Sequence, residues 1–226
     1  MNKNAIKKFL LYFTVALSIS TILSFLYFNY VKLPDSFDNN LRDYFFSIRG
    51  EIPNKNSVII VDIDEKSLSQ LGQWPWSRNK IAKILENLTN AEVAIIGMDI
   101  VFPEEDNSSP HKIFEQFNIK KENPPNYDLK LSNTIKTTPT ILGYQFELEQ
   151  SSKHTNKEAP NIPAIFIEKN KKFAEQYLIK AYGTIINTPI LQNSSYSSGF
   201  FNNLPNEDGV IRSVPLLISY DDTIYP

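Results

Sequence analysis

Between Phe9 and Val31 the chain carries no charged residue (FLLYFTVALSISTILSFLYFNYV). A helix rises about 1.5 Å per residue, so a run of this length spans a hydrocarbon core of roughly 30 Å. Tyr27 and Tyr30 fall near its far end, where amphipathic rings favour the membrane interface. Lys3, Lys7 and Lys8 precede the run and only Lys32 comes soon after it. The positive-inside bias therefore predicts residues 1–8 in the cytoplasm, a membrane helix over 9–31, and residues 32–226 outside. A cleaved signal peptide is the rival reading, but it needs a shorter apolar core and small residues at the cleavage site. Here the run closes on Phe25-Leu26-Tyr27-Phe28, which is bulky and aromatic. An uncleaved anchor in the cell (inner) membrane is the expectation.

The chain beyond Val31 is long enough to bury the core of one globular domain. Its composition is ordinary, since the whole chain is 42% hydrophobic and 21% charged. A net charge of −2 argues against nucleic acid as a partner, because phosphate binding needs a concentrated excess of Lys and Arg. With no cysteine, thiol catalysis, disulfides and Cys-ligated metals are excluded. His111 and His154, the two histidines, lie in polar loop-like stretches and read as surface residues. No Gly-rich phosphate loop, nucleophile elbow or paired-His metal motif occurs.

Periodicity then orders the elements. Phe37, Leu41, Phe45 and Ile48 recur at helical spacing and Gly50 is a natural stop. Val58-Ile59-Ile60-Val61 predicts a central strand buried on both faces, ending in Asp62 and Asp64. Glu65 to Leu71 predicts a short helix closed by Gly72, and Ser77 caps an amphipathic helix with Ile81, Ile84, Leu85 and Leu88 on one face. Val93 to Phe102 reads as a second core strand, completing a βαβ unit. A helix over Tyr127–Ile135 and a strand over Thr140–Phe146 make a second crossover. Glu147 to Pro163 reads as a polar hairpin or insertion, and Ile165 to Ile186 gives mixed signals. Ser198–Asn202 and Val210–Ser219 are expected strands flanking the turn Asn206-Glu207-Asp208-Gly209, and Asp221-Asp222 makes a further turn. The fold class is α/β: one transmembrane helix, then a single extracytoplasmic domain with a largely parallel or mixed sheet flanked by helices.

Several of these segments carry a resemblance. Val61-Asp62-Ile63-Asp64 with Ser67-Leu68, then Leu71-Gly72, Trp74-Pro75-Trp76 and Arg78, precede Ile96-Gly97-Met98-Asp99-Ile100-Val101-Phe102 and the acids Glu104, Glu105 and Asp106. Asp128 and Leu131 fit the next helix, and Gly199-Phe200 opens a stretch closing on Asp208-Gly209-Val210-Ile211-Arg212-Ser213-Val214-Pro215-Leu216. In this order they resemble the type-2 CHASE domain, the extracellular sensory module associated with cyclases and histidine kinases. Ser77 stands where that family usually has proline and Met98 where it usually has an aromatic residue. The resemblance implies an extracytoplasmic sensor rather than an enzyme, with a cytoplasmic output in a longer protein. The chain stops at Tyr225-Pro226, inside the family's final portion, so a fragment or a truncated product is expected.

Asp62, Asp64 and Asp99 are expected at the carboxyl ends of adjacent parallel strands, where open α/β sheets bind ligands. Asp106 lies just beyond, with Glu104 and Glu105. Converging carboxylates need compensation, from Arg78 or from a divalent cation such as Ca²⁺ or Mg²⁺. Trp74 and Trp76 are candidate walls. The candidate ligand set is therefore Asp62, Asp64, Trp74, Trp76, Arg78, Asp99 and Asp106, with no catalytic residue and no cofactor beyond such a cation. The bland reading is that Asp62 and Asp99 cap helix N-termini or pair with Arg78 and Arg212 to fix the loops, while the tryptophans pin a loop over the core. Three functions are compatible with this pattern: a sensor for a small ligand or ion, working through the bilayer as a homodimer; a ligand-free envelope scaffold; or a metal-dependent phosphatase with Asp62 as nucleophile and Asp64 as acid. Lys66 sits where phosphatases of that type want Thr or Val.

Overall fold

The structure, a computed structural model, describes residues 3–29, 32–53, 58–150, 159 and 177–226. The chain divides into two compact units, Met1–Asp62 and Ile63–Pro226.

The first unit holds helix α1 (Lys3–Asn29) and helix α2 (Lys32–Arg49). Within α1, Ile6–Tyr27 is long and apolar enough to cross a membrane, and none of it is buried. Three of its hydroxyls bond back within the helix: Thr14 Oγ1 donates to the Leu10 and Leu11 carbonyls, Ser18 to Thr14 and Thr21 to Leu17. Back-bonding of this kind lets Ser and Thr sit in a lipid-facing helix without an orphaned polar group. Helix α2 stops as the sequence predicts, with Gly50 at φ 66° and its N–H on the Phe46 carbonyl. Its apolar stripe, Phe37, Leu41, Phe45 and Ile48, is exposed.

Val58 to Val61 corrects the expectation of a central strand. The run is irregular and its side chains are 61–88% exposed. The expected first βαβ unit is therefore not formed. A strand exists only through its ladder, and a run of β-branched residues raises the gain from pairing without naming a partner.

The second unit opens with α3 (Glu65–Leu71) and α4 (Arg78–Asn90). The second expected strand shrinks to β1 (Ile96–Met98). Then comes α5 (Pro110–Gln116), a helix not expected from the sequence, followed by α6 (Tyr127–Thr137) and β2 (Thr140–Glu147), as the second crossover predicts. The order continues with β3 (Ile179–Lys180), β4 (Gly183–Ile185), α7 (Pro189–Gln192), β5 (Ser197–Phe200), β6 (Ile218–Tyr220) and β7 (Thr223–Tyr225). Strand β2 is the spine: β1 and β5 flank it in parallel, and β4 runs antiparallel to its C-terminal end. The sheet is mixed. The expected strand over Val210–Ser219 survives only as β6, since Pro215 lacks the N–H that a ladder needs. Asp221 and Asp222, at φ 48° and 59°, form a two-residue hairpin turn between β6 and β7. That is the left-handed geometry which suits the strand twist. Most of the polar insertion and residues 165–176 lie outside the described residues.

Two side-chain amides stand in for missing ladder. Asn202 accepts from the Phe146 N–H (2.8 Å) and donates to its carbonyl (2.7 Å), extending the β5 edge by one rung. Asn187 accepts from the Phe102 N–H (2.9 Å) and donates to the Gly143 carbonyl (2.9 Å), fastening the loop after β1 to the spine. At Gly143 the chains approach so closely that a Cβ would lie 2.5 Å from the Met98 carbonyl oxygen. One core packs α4 and α6 over β1 and β2 through Ile81, Leu85, Leu131, Ile135 and Leu142, with Trp76 and Phe102 at its end. A second, aromatic core gathers Tyr144, Phe146 and Tyr220.

Candidate functional site

The loop after β1 carries the acids Glu104, Glu105 and Asp106, and it lies against the start of α4. The first N–H of α4, from Arg78, donates to Asp106 Oδ2 at 2.7 Å. Asp106 thus does from a distance what Ser77, the local N-cap, does not, because the Ser77 hydroxyl turns to Asn79 Oδ1 instead. A carboxylate here satisfies an orphan donor and sits at the favourable end of the helix dipole. Asp106 Oδ1 also accepts from the Ser108 N–H and hydroxyl, at 2.9 and 2.6 Å.

Asp128, in the first turn of α6, completes the cluster. Its Oδ2 accepts from the Asp106 N–H at 2.8 Å, and its Oδ1 lies 3.6 Å from Arg78 Nε. The guanidinium, in a residue only 9% exposed, lies 4.2 Å from the Phe102 ring centroid and donates through Nη2 to the Glu104 carbonyl at 3.0 Å. Burial pulls the Arg78 pKa below its ordinary value, while the Asp128 and Asp106 charges oppose that pull. One buried cation thus faces two buried carboxylates, an arrangement that stands only when every member is present.

Over this cluster lies an open groove of about 790 Å³, walled by Trp74, Trp76, Arg78, Asp99, Glu104 and Asp106. The Trp74–Pro75 peptide is cis, and the two indoles meet edge to face with centroids 6.0 Å apart. Trp76 is pinned: it is 4% exposed and its Nε1–H donates to the Gly72 carbonyl at 2.7 Å. Trp74 is 39% exposed. Asp99 and Glu104 are exposed, and their carboxylates make no hydrogen bond or ion pair among the described residues. Glu105 pairs with Lys112, which holds the carboxyl below its usual range and the amine above its own.

Five of the seven candidates, Trp74, Trp76, Arg78, Asp99 and Asp106, therefore line one groove. Asp64 is not among them, and the expected strand end that would carry Asp62 and Asp64 is absent, which corrects the expected arrangement at two strand ends. Asp64 instead caps α3, accepting from the Ser67 N–H (2.8 Å) and hydroxyl (2.6 Å), which lowers its pKa. Asp62 is exposed in the first unit. Arg212 pairs with Asp208 in the turn where both lie. His111 is held by Ser109 and Asn126 through its two ring nitrogens, and His154 lies outside the described residues. No group of His, Asp and Glu suited to a metal ion occurs among the described residues. Sequence reasoning did not count Asp128 as a site residue. Its signals were its place among the residues that carry the resemblance and its being an acid in the first helical turn, and such acids usually serve the dipole alone.

A mixed α/β domain with a loop-walled groove beside a parallel strand is the class that fold and site define. Within that class the chain belongs to the CHASE2 domain family, whose model matches residues 16–226. CHASE2 is a family of extracellular sensory domains rather than catalytic ones. No curated protein and no solved structure matches the chain.

Proposed function

We propose that this chain is the extracytoplasmic signal-sensing part of a membrane signal-transduction protein. In this reading α1 crosses the cell (inner) membrane once, residues 32–226 face outward, and the groove detects a small ligand or ion. The observation that carries it is the groove itself, whose lining includes Arg78 and Asp106, both held in turn by the buried Asp128. A ligand pressing on the loop after β1 meets side chains that root both α4 and α6. It can bias two arrangements of that loop only by its difference in affinity for them, about tenfold in population for each 1.4 kcal/mol. Relay to the membrane would pass through the segment joining α1 to the domain, in a homodimer.

The scaffold reading draws on one observation: Asp64 and Asp106 are spent on helix caps. The exposed Asp99, Glu104 and Trp74 around an open groove favour the sensor. Placement is tested by fusing alkaline phosphatase or green fluorescent protein after Pro226 in a bacterial host. The phosphatase fusion should be active and the fluorescent fusion dark; the reverse pattern defeats the sensor reading.

A further inference from the structure

We infer that the ligand of this groove is an organic cation, an amine or quaternary ammonium on a small apolar body. The inference rests on the groove being the ligand site and adds the sign and shape of what it takes.

Arg78, the single base in the lining among the described residues, is already committed. Its guanidinium is buried, lies over the Phe102 ring, donates to the Glu104 carbonyl and faces Asp128. With Asp106 and Asp128 beside it, the cluster carries one more negative charge than positive, so an anionic ligand would meet repulsion. Asp99 and Glu104 add two carboxylates on the groove wall with no partner among the described residues. Excess charge of one sign in a cleft with low-dielectric walls raises the local concentration of the opposite sign.

The indoles supply the other half. Trp76 is fixed by packing and by its bond to Gly72, and Trp74 stands edge to face with it, more than a third exposed. An alkylammonium lying on an indole face is attracted by the ring quadrupole, and its methyl groups bury against the ring as well. A hydrated metal ion gains nothing from the ring's apolar surface, and a neutral apolar molecule gains nothing from the carboxylates.

The two tryptophans of the chain are Trp74 and Trp76, so its tryptophan fluorescence, excited selectively over that of the tyrosines, reports on this groove. Full chain in lipid nanodiscs, at constant ionic strength, is titrated with choline, butylammonium, the neutral choline isostere 3,3-dimethylbutanol, propionate and Ca²⁺. The cations should change the emission saturably while the isostere, propionate and Ca²⁺ do not. Glu104→Gln and Asp99→Asn should each weaken the cations about tenfold with an unchanged melting temperature. Saturation by the isostere or propionate equal to that by choline overturns the cation inference and leaves the groove as a ligand site. Saturation by Ca²⁺ alone overturns it in favour of a metal site. If no probe of any charge moves the emission, both the inference and the ligand-site reading fall.

Discussion

Tyr144 is fully buried in the aromatic core, and its hydroxyl makes no hydrogen bond among the described residues. Burial also pushes its pKa up, so the group stays a neutral, unsatisfied phenol. A buried polar atom without a partner costs about 1–3 kcal/mol, and removing it at constant shape recovers part of that. Tyr144→Phe should therefore stabilise the domain by about 1 kcal/mol in urea denaturation; a comparable loss would mean that the hydroxyl has a partner. Asp208 shows the opposite situation. Hydrogen bonds from Arg212 hold its pKa at about 2, against an ordinary 3.8. A folded-state pKa below the unfolded one gives stability that is complete above pH 3.8 and lost as pH falls through 2. Carbon-detected NMR should place the Asp208 titration near 2 and return it to the ordinary range in Arg212→Gln; an unmoved midpoint refutes the pair. The two positions differ in how legible they are in sequence. The turn around Asp208-Gly209 announces itself through local chemistry, whereas Tyr144 looks like any strand aromatic until its surroundings are known.

Elements show the same division. Helix α3 begins and ends where Asp64 and Gly72 say it should, and α6 leading into β2 matches the predicted crossover, because caps and 3.6-residue periods are local signals. Val58–Val61 failed as a strand, and Val210–Ser219 shortened to three residues, because pairing is decided by a partner far away in sequence. The candidate groove was legible to the extent that it sits on contiguous motifs, Trp74-Pro75-Trp76 through Arg78 and Asp99 through Asp106. The roles of Asp128, Asn187 and Asn202 could not be read from the sequence because they are contacts across long sequence separations. Asn202 gives an element-scale prediction. Its amide satisfies both polar groups of Phe146 where β5 has ended, so Asn202→Ala orphans a buried N–H and a buried C=O. Stability should fall by about 3 kcal/mol. A loss below about 0.5 kcal/mol in chemical denaturation would show that the extra rung contributes nothing.

For the whole domain, the decisive feature is that one salt-bridged cluster belongs to three segments at once: the start of α4, the loop after β1, and the first turn of α6. Arg78→Met keeps the volume but strands Asp106 and Asp128 as buried, uncompensated carboxylates. The cost should be about 3–5 kcal/mol, part of which Asp128→Asn in the same chain should restore. Hydrogen exchange should rise at the N-terminal turns of α4 and α6 together, and a rise confined to α4 would count against a shared root. Asp106 meanwhile occupies a seat that the adjoining Ser77 leaves unused. Because the plug for α4 arrives on a loop rather than from the chain immediately before it, drawing that loop away uncorks the helix. The groove wall and the stopper are one piece of chain, so any displacement of that wall reaches the first turn of α4.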